Sequence, residues 1–331
     1  MHAQKPDMKA GPAEGNEVAS GIFEVSAPFW GYPLSLYFVE SGGRWLVVDT
    51  GINTTPVERI VPFMEEHGGI GTLDLALLTH GHVDHLGGNA QLRRLASQLQ
   101  FALHEMDLGW AESLDRHIAQ LYRFGEPEAW TLEPDMEALL REGCGDPVAI
   151  DRILSDRDLV TFGAGRELEI IHVGGHSPGH VLIRDRLTGT VFSGDALQAS
   201  GALNSESGWR DFPMYRTVRD YYAGLSQIRA LNPTTLCTAH NGVFSGGAVA
   251  DAIDESTAWS DAFHADIRAI VLELRSVTLR EAVAAVSQRR PEYAVSLQIN
   301  VTTAEHLNEL VRSGEARTSR DEQGKRWTWG G

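Results

Sequence analysis

Hydrophobic and polar positions alternate over residues 21–50, in the segments GIFEVSA, LSLYFVES and RWLVVDTG. A two-residue period is typical of β-strands, and Gly42–Gly43 between the last two segments predicts a hairpin. Residues 56–68 change to a helical period and end at a glycine. The short apolar run over 73–80 predicts a buried strand, followed by a helix over 89–99 and a strand over 100–107. The first third of the chain is therefore expected to be α/β.

The hydrophobic pattern of the rest of the chain predicts a helical insertion, then further strands, then a mostly helical C-terminal segment. Residues 107–142 are polar, helical in period and rich in aromatic residues, and the segments 166–175, 180–195 and 234–242 are strand-like. A long helix is expected over about 246–274, then helices over 278–290 and 302–316 and a hairpin over 317–329. This order is that of a winged helix. We expect a flexible tail over 1–18, a catalytic domain over 19–245 with a lid over 107–142, and a winged-helix-like α+β domain over 246–331.

Charge and composition narrow the class of function. The 331 residues include 45 acidic and 28 basic side chains, giving a formal charge of −17. Nucleic-acid surfaces need Lys and Arg to neutralise phosphates, so DNA binding and binding to anionic membranes are disfavoured, and a structural or homodimerising role is favoured for the C-terminal segment. The two cysteines, the lack of a signal-like start and the lack of an apolar run of about 18 residues predict a cytoplasmic protein that acts on a small molecule.

The segment THGHVDHLGGN places metal-binding side chains where a predicted strand ends, at His80, His82, Asp84 and His85. Imidazole nitrogens and carboxylate oxygens are the ligands of zinc and iron sites. Three further candidates, His176, Asp195 and His240, also follow predicted strands and lie next to glycine or small residues. Their repeated position predicts one metal site at the rim of a sheet.

These motifs resemble those of the metallo-beta-lactamase-fold hydrolase superfamily over about residues 20–245. The resemblance rests on WLVVDTG, H-x-H-x-D-H, G-H-S-P-G-H, S-G-D and a late histidine, in that order. It implies an αββα sandwich that holds two divalent ions, Zn²⁺ before Fe or Mn. The implied ligands are His80, His82 and His176 on one ion, Asp84, His85 and His240 on the other, and Asp195 bridging both. Asp49 and His180 are implied to support these ligands without binding metal.

The resemblance also implies a function. A metal-bridging hydroxide would attack the substrate, and Asp84 would carry the proton to the leaving group. Glyoxalase II, thioesterases and lactonases share the G-H-S-P-G-H pattern, so a thioester, ester or lactone is expected. Phosphoester or aryl halide hydrolysis, and a non-catalytic DNA-binding sensor, are the alternatives. TAHNGV stands where thioesterase-like members with a similar C-terminal segment have Gly-His-Gly-Pro, which leaves the subfamily open.

Two sets of residues complete the expectations. Substrate contacts are predicted at Trp110, Tyr122, Phe124 and Trp130 in the insertion, and at Trp209, Arg210 and Tyr215 after Asp195. An arginine in the cleft would favour a carboxylate or phosphate on the substrate. The isolated histidines are expected to be packing or surface residues: His67, His104, His117, His264 and His306.

Overall fold

The computed structural model describes residues 14–123, 130–322 and 324–330. Over these residues the strands form three sheets. The first contains β1 (Asn16–Ala19), β2 (Ile22–Ser26), β3 (Ser35–Ser41), β4 (Arg44–Val48), β5 (Leu73–Leu77), β6 (Gln100–His104) and β7 (Arg152–Leu154). The second contains β8 (Leu159–Phe162), β9 (Arg166–His172), β10 (Val181–Asp185), β11 (Val191–Gly194), β12 (Thr235–Thr238) and β13 (Val243–Ser245). The third contains β14 (Ser276–Thr278), β15 (Ala316–Asp321) and β16 (Gly324–Trp329).

The helices lie between and after these strands. They are α1 (Val61–Glu66), α2 (Val83–Leu86), α3 (Asn89–Leu95), α4 (Leu108–Ala111), α5 (Leu114–His117), α6 (Pro134–Cys144), α7 (Val218–Leu231), α8 (Gly247–Leu274), α9 (Leu279–Arg289) and α10 (Leu297–Arg312). Short π-helical segments, Pro56–Ile60 and Ile118–Tyr122, lead into α1 and follow α5. Within the described ranges, no helix is long and apolar enough to cross a bilayer.

The first sheet follows the chain order β1 to β7. Its strands are antiparallel as far as β4 and parallel from β4 to β7. Ser41 pairs with Arg44 across the Gly42–Gly43 turn, so the predicted hairpin is confirmed. β1 begins at Asn16, so residues 16–18 belong to the sheet and not to the predicted tail, whose residues 1–13 lie outside the described part.

Two-residue alternation explains why the first two sheets pack face to face. In β3, Tyr37 and Val39 contact the second sheet, whereas Leu36 and Phe38 point to the opposite face and pack on α1. β10 does the same, with Val181 and Ile183 between the sheets. Side chains of successive strand residues lie on opposite faces, so each strand supplies two cores.

Helices cover both outer faces of this pair of sheets. α1 and α3 pack on the first sheet, and α7 and α8 pack on the second. The predicted αββα metallo-beta-lactamase sandwich is therefore confirmed as the fold. The sequence analysis missed α7 and the short strands β7 and β8, since β7 and β8 are only three and four residues long and Ile153 and Leu159 are exposed.

The C-terminal part, from α8 onward, has the element order helix, strand, helix, helix, hairpin. Its predicted elements appear, although α10 begins at Leu297, five residues before the expected start. Eleven of the sixteen residues of α10 are buried, including every residue from 299 to 307. A helix that is buried on all sides is packed between other elements, and α10 lies between α8 and the segment around Pro213 and Val218 at the start of α7.

A buried ion pair joins the two large sheets. The Arg166 guanidinium, at the start of β9, donates to both carboxylate oxygens of Asp185 in β10, at 3.0 and 2.8 Å. Its other hydrogen bonds go to the backbone oxygens of Ser20, Gly21 and Glu40 at the first sheet. The Arg166 guanidinium thus donates hydrogen bonds to acceptor oxygens of both large sheets.

Replacing Arg166 by methionine is expected to lower the free energy of unfolding by about 3–5 kcal/mol, because it leaves the Asp185 carboxylate buried without its partner. Arg184→Met is the control, since Arg184 is exposed and lies 3.8 Å from Glu169; it should cost less than about 1 kcal/mol. Urea denaturation followed by circular dichroism measures both. Equal effects of the two substitutions would contradict the role of Arg166.

Candidate metal centre

The candidate ligands lie at one rim of the sandwich because each follows the end of a central strand. His80 and His82 follow β5, and His176 follows β9. Asp195 comes directly after β11, and His240 comes two residues after β12. β4, β5, β11 and β12 end at the same rim, so the loops after them meet there.

The structure brings all seven predicted ligands together. Three groups of side chains have donor atoms within 4.8 Å of one another: His80, His82 and His176; His80, His85 and Asp195; and Asp84, His85 and His240. Nearly all of these side chains are buried. The individual separations include 2.8 Å between His176 Nε2 and His82 Nδ1 and 3.2 Å between His240 Nε2 and Asp84 Oδ2.

Asp195 lies between the groups. Its Oδ2 is 3.3 Å from His176 Nε2, whereas its Oδ1 is 3.4 Å from His240 Nε2 and 3.7 Å from His85 Nε2. Ligand atoms bound at about 2.0–2.1 Å to a tetrahedral ion are roughly 3.3 Å apart. The measured separations are close to that value, so the donors are spaced to hold an ion.

Several of these donor atoms have nothing else to bond. Among the described residues, His80 Nε2, His85 Nε2 and Asp195 Oδ1 are buried and have no hydrogen-bond partner. A buried polar atom without a partner is costly, and a cation removes that cost. The residues therefore fit a divalent metal.

Hydrogen bonds behind the ligands fix which ring nitrogen faces the centre. His176 Nδ1 lies 2.6 Å from the Met214 carbonyl oxygen, and His240 Nδ1 lies 2.7 Å from the Pro33 carbonyl oxygen. His85 Nδ1 lies 2.9 Å from Asp49 Oδ2. Carbonyl and carboxylate oxygens only accept, so each Nδ1 carries the proton and each Nε2 presents its lone pair to the centre.

Asp49 holds the loop that carries four of the ligands. Its carboxylate accepts from the backbone N–H of Thr79 at 2.8 Å as well as from His85. Asp49 itself has a φ of 63°, a left-handed conformation that is uncommon outside glycine. Such backbone strain is found at functional sites that the surrounding structure stabilises.

The buried acids and histidines of the centre shift one another's pKa values. Burial opposes ionisation of Asp195, but His240 and His85 hold the pKa of this carboxyl well below its usual range. Burial also opposes the charged form of His85, yet the carboxylates of Asp84 and Asp49 raise its pKa to about 10. Burial and repulsion from His85 lower the pKa of His80 well below the ordinary histidine value. A metal cation at the centre would stabilise these carboxylates in place of the protonated histidines.

His180 is buried beside the ligands and belongs to none of the three groups found in the described residues. Its Nε2 accepts the backbone N–H of Asp195 at 3.1 Å. Gly194, just before, has a φ of 48°, and a Cβ there would lie 2.7 Å from Thr79 Oγ1. Gly194 and His180 therefore fix the backbone conformation that leads into Asp195.

The sequence analysis missed Asp107, which connects two ligand loops. Its carboxylate accepts from Gly81 N at 3.0 Å, Ser177 Oγ at 2.6 Å and Gly179 N at 2.7 Å. Burial raises the pKa of Asp107 above its usual value. Asp107 follows β6 as Asp49 follows β4, so the same rule, a polar residue after a strand end, could have found it.

A cavity of about 360 Å³ opens over the donors. Asp84, Asp195 and His240 lie on its floor, and its walls come from four segments of the chain. Phe29, Trp30 and Tyr32 form one wall, and Leu121, Tyr122, Trp130 and Met136 of the insertion form another. The third comes from the segment after Asp195, with Gln198, Asp211, Phe212 and Met214, and the fourth from Ser296, Leu297 and Gln298 at the start of α10. The insertion thus borders the cavity, and the C-terminal part completes it.

The pattern of the Metallo-beta-lactamase superfamily matches residues 31–240, well over half of the chain. The chain belongs to the metallo-beta-lactamase superfamily.

Known members of this superfamily resemble the chain over most of their length. An acyl-coenzyme A thioesterase, MBLAC2, of Gallus gallus is 26% identical over 220 residues, which are 65% of this chain and 74% of that protein. A hydroxyacylglutathione hydrolase, GloC, of Haemophilus influenzae is 29% identical over 192 residues, 57% of this chain and 76% of that protein. The prediction of a metal-dependent hydrolase is confirmed.

Two crystal structures share the fold of nearly the whole chain. A metallo-beta-lactamase family protein from Thermus thermophilus has a TM-score of 0.73 at 21% identity and covers 94% of this chain and 99% of its own. A beta-lactamase domain protein from Burkholderia ambifaria has a TM-score of 0.72 at 21% identity and covers 98% of this chain and 96% of its own. The likeness extends over the C-terminal part as well as the sandwich.

Four of the predicted substrate contacts do not line the cavity of this metallo-beta-lactamase-fold protein. Tyr215 is fully buried, and its hydroxyl lies 2.8 Å from Ser260 Oγ and 2.7 Å from His306 Nε2, so it packs the C-terminal part. Arg210 donates to the Gly201 carbonyl oxygen at 2.8 Å. Neither residue lines the cavity, so the structure does not support a contact between substrate and either of these two residues there.

The predicted tryptophan contacts also need correction. Trp110 is buried beside the His82 ring and donates from Nε1 to Gln120, so it supports the ligand loop from behind. Trp209 is 47% exposed on a loop outside the cavity wall. Tyr122 and Trp130 do line the cavity, whereas Phe124 lies outside the described residues.

Asp49→Asn is expected to weaken metal binding roughly 10–100-fold, the usual effect of losing a carboxylate behind a ligand histidine. Asparagine tolerates the left-handed backbone nearly as well as aspartate, so the loop path should persist. Competition with a chromogenic chelator measures the affinity. Asp74→Asn, which alters only the surface pair with Arg44, is the control; unchanged metal affinity in Asp49→Asn would contradict the role of Asp49.

Proposed function

We propose that the protein is a hydrolase with two divalent metal ions, zinc in the first instance, that cleaves a thioester, ester or lactone of a small molecule. The observation that carries this proposal is that two of the three donor groups, His80/His82/His176 and Asp84/His85/His240, share no residue and that Asp195 lies between them. The thioesterase MBLAC2 and the hydroxyacylglutathione hydrolase GloC support the substrate class, because both names describe the hydrolysis of thioesters.

The proposed ligands follow the geometry of the groups. His80, His82 and His176 hold one ion, and Asp84, His85 and His240 hold the other. The two oxygens of Asp195 face the two groups separately, which suits a bridging carboxylate. Bound there, divalent ions act as Lewis acids that polarise a carbonyl and lower the pKa of water toward neutrality.

Asp84 is the proposed proton carrier. In hydrolysis the water oxygen forms a bond to the carbonyl carbon, and the bond from that carbon to sulfur or oxygen breaks. The proton that leaves the water must reach the departing sulfur or oxygen. Asp84 lies on the cavity floor, with its Oδ2 3.2 Å from His240 Nε2. Burial raises the pKa of Asp84, but the positive charges of His85 and His240 have the larger effect and hold this pKa well below its usual value. Its ionised carboxylate can accept this proton and pass it on.

The C-terminal part is proposed to complete the substrate cavity and to have no role in reading DNA. α10 takes the place in the chain order of a winged-helix recognition helix, and its buried residues include Thr302, which donates to the Pro213 carbonyl oxygen at 2.8 Å. A helix that enters the major groove needs a free face. The burial of α10 therefore favours the structural role that the charge of −17 also favours.

The metal content of the purified protein tests the two-ion site. Because the ligands form two sets of three with one carboxylate between, we expect about two equivalents of zinc, iron or manganese per chain. Elemental analysis after dialysis against the metal gives the ratio. A saturated protein that holds a single equivalent would rule out the second ion.

Asp84→Asn tests the proton carrier. The amide keeps the size and one ligand oxygen but loses the basic oxygen, so kcat should fall by roughly 10²–10⁴. The ion at Asp84, His85 and His240 should be held less tightly, while the other ion stays.

His180→Ala is the matched control for Asp84→Asn, since His180 belongs to none of the donor groups of the described residues and its hydrogen bond at this centre goes to the backbone N–H of Asp195. It should retain both ions and lose less activity. Turnover of a thioester and metal content are measured for both variants. Near-normal turnover in Asp84→Asn, or loss of an ion in His180→Ala, would reverse these roles.

A further inference from the structure

The cavity over the metal centre contains no lysine or arginine among the described residues that line it. Its ionisable lining groups are three histidines, two tyrosines and the acids Asp84, Asp195 and Asp211. Residues 124–129, which lie outside the described part, have the sequence FGEPEA and so add neither Lys nor Arg. A negative charge on the part of a ligand that contacts the walls, away from the metal donors, would find no arginine or lysine among the described lining residues to pair with.

Arginines of neighbouring segments are engaged elsewhere. Arg123, next to the lining residue Tyr122, pairs with Glu137 at 2.8 Å. Arg210 donates to the Gly201 carbonyl oxygen, and Arg216 donates to the Leu121 carbonyl oxygen at 3.0 Å. Arg123 and Arg210 serve the protein's own acceptors, whereas Arg216 also has a buried Nε without a hydrogen-bond partner among the described residues. None of the three lines the cavity.

The walls and the rim of the cavity are apolar. Aromatic and aliphatic side chains make up most of the lining around the donors. At the rim, Leu203 and Val295 are exposed beside the lining residues Ala202 and Ser296. A volume of about 360 Å³ is at the small end of ligand pockets, roughly 300–1,000 Å³, and suits a short acyl chain or one aromatic ring.

Asp211 adds a carboxyl group to the cavity wall that is not one of the candidate metal ligands. Its Oδ1 accepts from Phe212 N and its Oδ2 from Gln298 Nε2, each at 3.2 Å. No lysine or arginine of the described ranges forms an ion pair with it. Burial raises the pKa of Asp211 to about 7, and the charge of the neighbouring His240 opposes this shift.

We propose that the substrate is an uncharged thioester, ester or lactone whose apolar acyl or aryl group fills this cavity, and that Asp211 selects against substrates with an anionic carrier group. This inference rests on the proposed hydrolase function. It separates this chain from its named relatives, because coenzyme A carries phosphates and glutathione carries carboxylates. Like charges that approach at a partly buried wall repel strongly enough to decide between two substrates.

A series of thioesters with one acyl group tests the selection by charge. The zinc-loaded protein is assayed with hexanoyl thioesters of N-acetylcysteamine, which is uncharged, of glutathione and of coenzyme A. We expect kcat/KM to be at least about tenfold higher for the uncharged carrier, which corresponds to one unfavourable charge contact. Equal or better turnover of both anionic thioesters would overturn the proposal.

Asp211→Asn assigns the selection to its carboxyl group. The variant should raise kcat/KM for the glutathione and coenzyme A thioesters several-fold relative to the uncharged thioester. Asp251→Asn makes the same change in net charge at an exposed position of α8 that does not line the cavity, and it should leave the ratio unchanged. Parallel changes in the two variants, or no change of the ratio in Asp211→Asn, would contradict the assignment.

Binding of inert analogues separates this proposal from the hydrolase proposal. Calorimetry on the zinc-loaded wild-type protein compares the S-hexyl thioethers of N-acetylcysteamine and glutathione, which cannot be hydrolysed at the carbonyl. Tighter binding of the uncharged thioether supports the charge selection even if none of the thioesters is turned over, in which case the proposed reaction fails alone. Tighter binding of the glutathione thioether would overturn the selection. The same wild-type comparison decides the matter if Asp211→Asn does not fold.

Discussion

The metal centre depends on the hydrogen bonds that the Nδ1–H groups of its histidines donate to oxygen atoms behind the rings. His85, His176 and His240 each have an oxygen 2.6–2.9 Å behind the ring, supplied by Asp49, Met214 and Pro33 respectively. These oxygens fix the tautomer and the ring plane, so the Nε2 lone pairs converge on one small volume. Convergent lone pairs repel one another in the absence of a cation, and the sandwich must hold them in place against that repulsion. The positions of the loops, and of the strands before them, serve this requirement.

The ligands could be predicted from the sequence because they obey a local rule. Each comes after an apolar strand, and strand ends that share a rim bring distant residues together. His80, Asp195 and His240 all follow this rule. The oxygens behind the ligands are predictable only when they belong to side chains, as with Asp49. The carbonyls of Pro33 and Met214 leave no mark in the sequence, since every residue has one.

The walls of the cavity could not be predicted in the same way. Trp209 and Tyr215 follow Asp195 closely in the chain, but Trp209 lies outside the cavity and Tyr215 is buried in the C-terminal part, whereas Phe212 and Met214 between them line the cavity. Other wall residues come from segments as far apart in the chain as 29–32 and 296–298. Nearness in sequence to a ligand therefore indicates the rim but does not identify the side chains that a substrate meets. Hydrophobic periodicity predicts that α10 has a buried face, but it does not predict which part of the chain covers that face.

The position of α10 couples occupancy of the cavity to the packing of the two parts of the chain. Gln298 reaches the Asp211 carboxylate, and Leu297 lines the cavity, so a ligand there contacts both parts at once. A ligand that binds only the docked arrangement stabilises that arrangement by mass action. By thermodynamic reciprocity, any change that loosens the docking of α10 weakens ligand affinity by the same free energy, even at positions far from the metals. Sequence drift in the C-terminal part can thereby adjust substrate affinity without altering a single metal ligand.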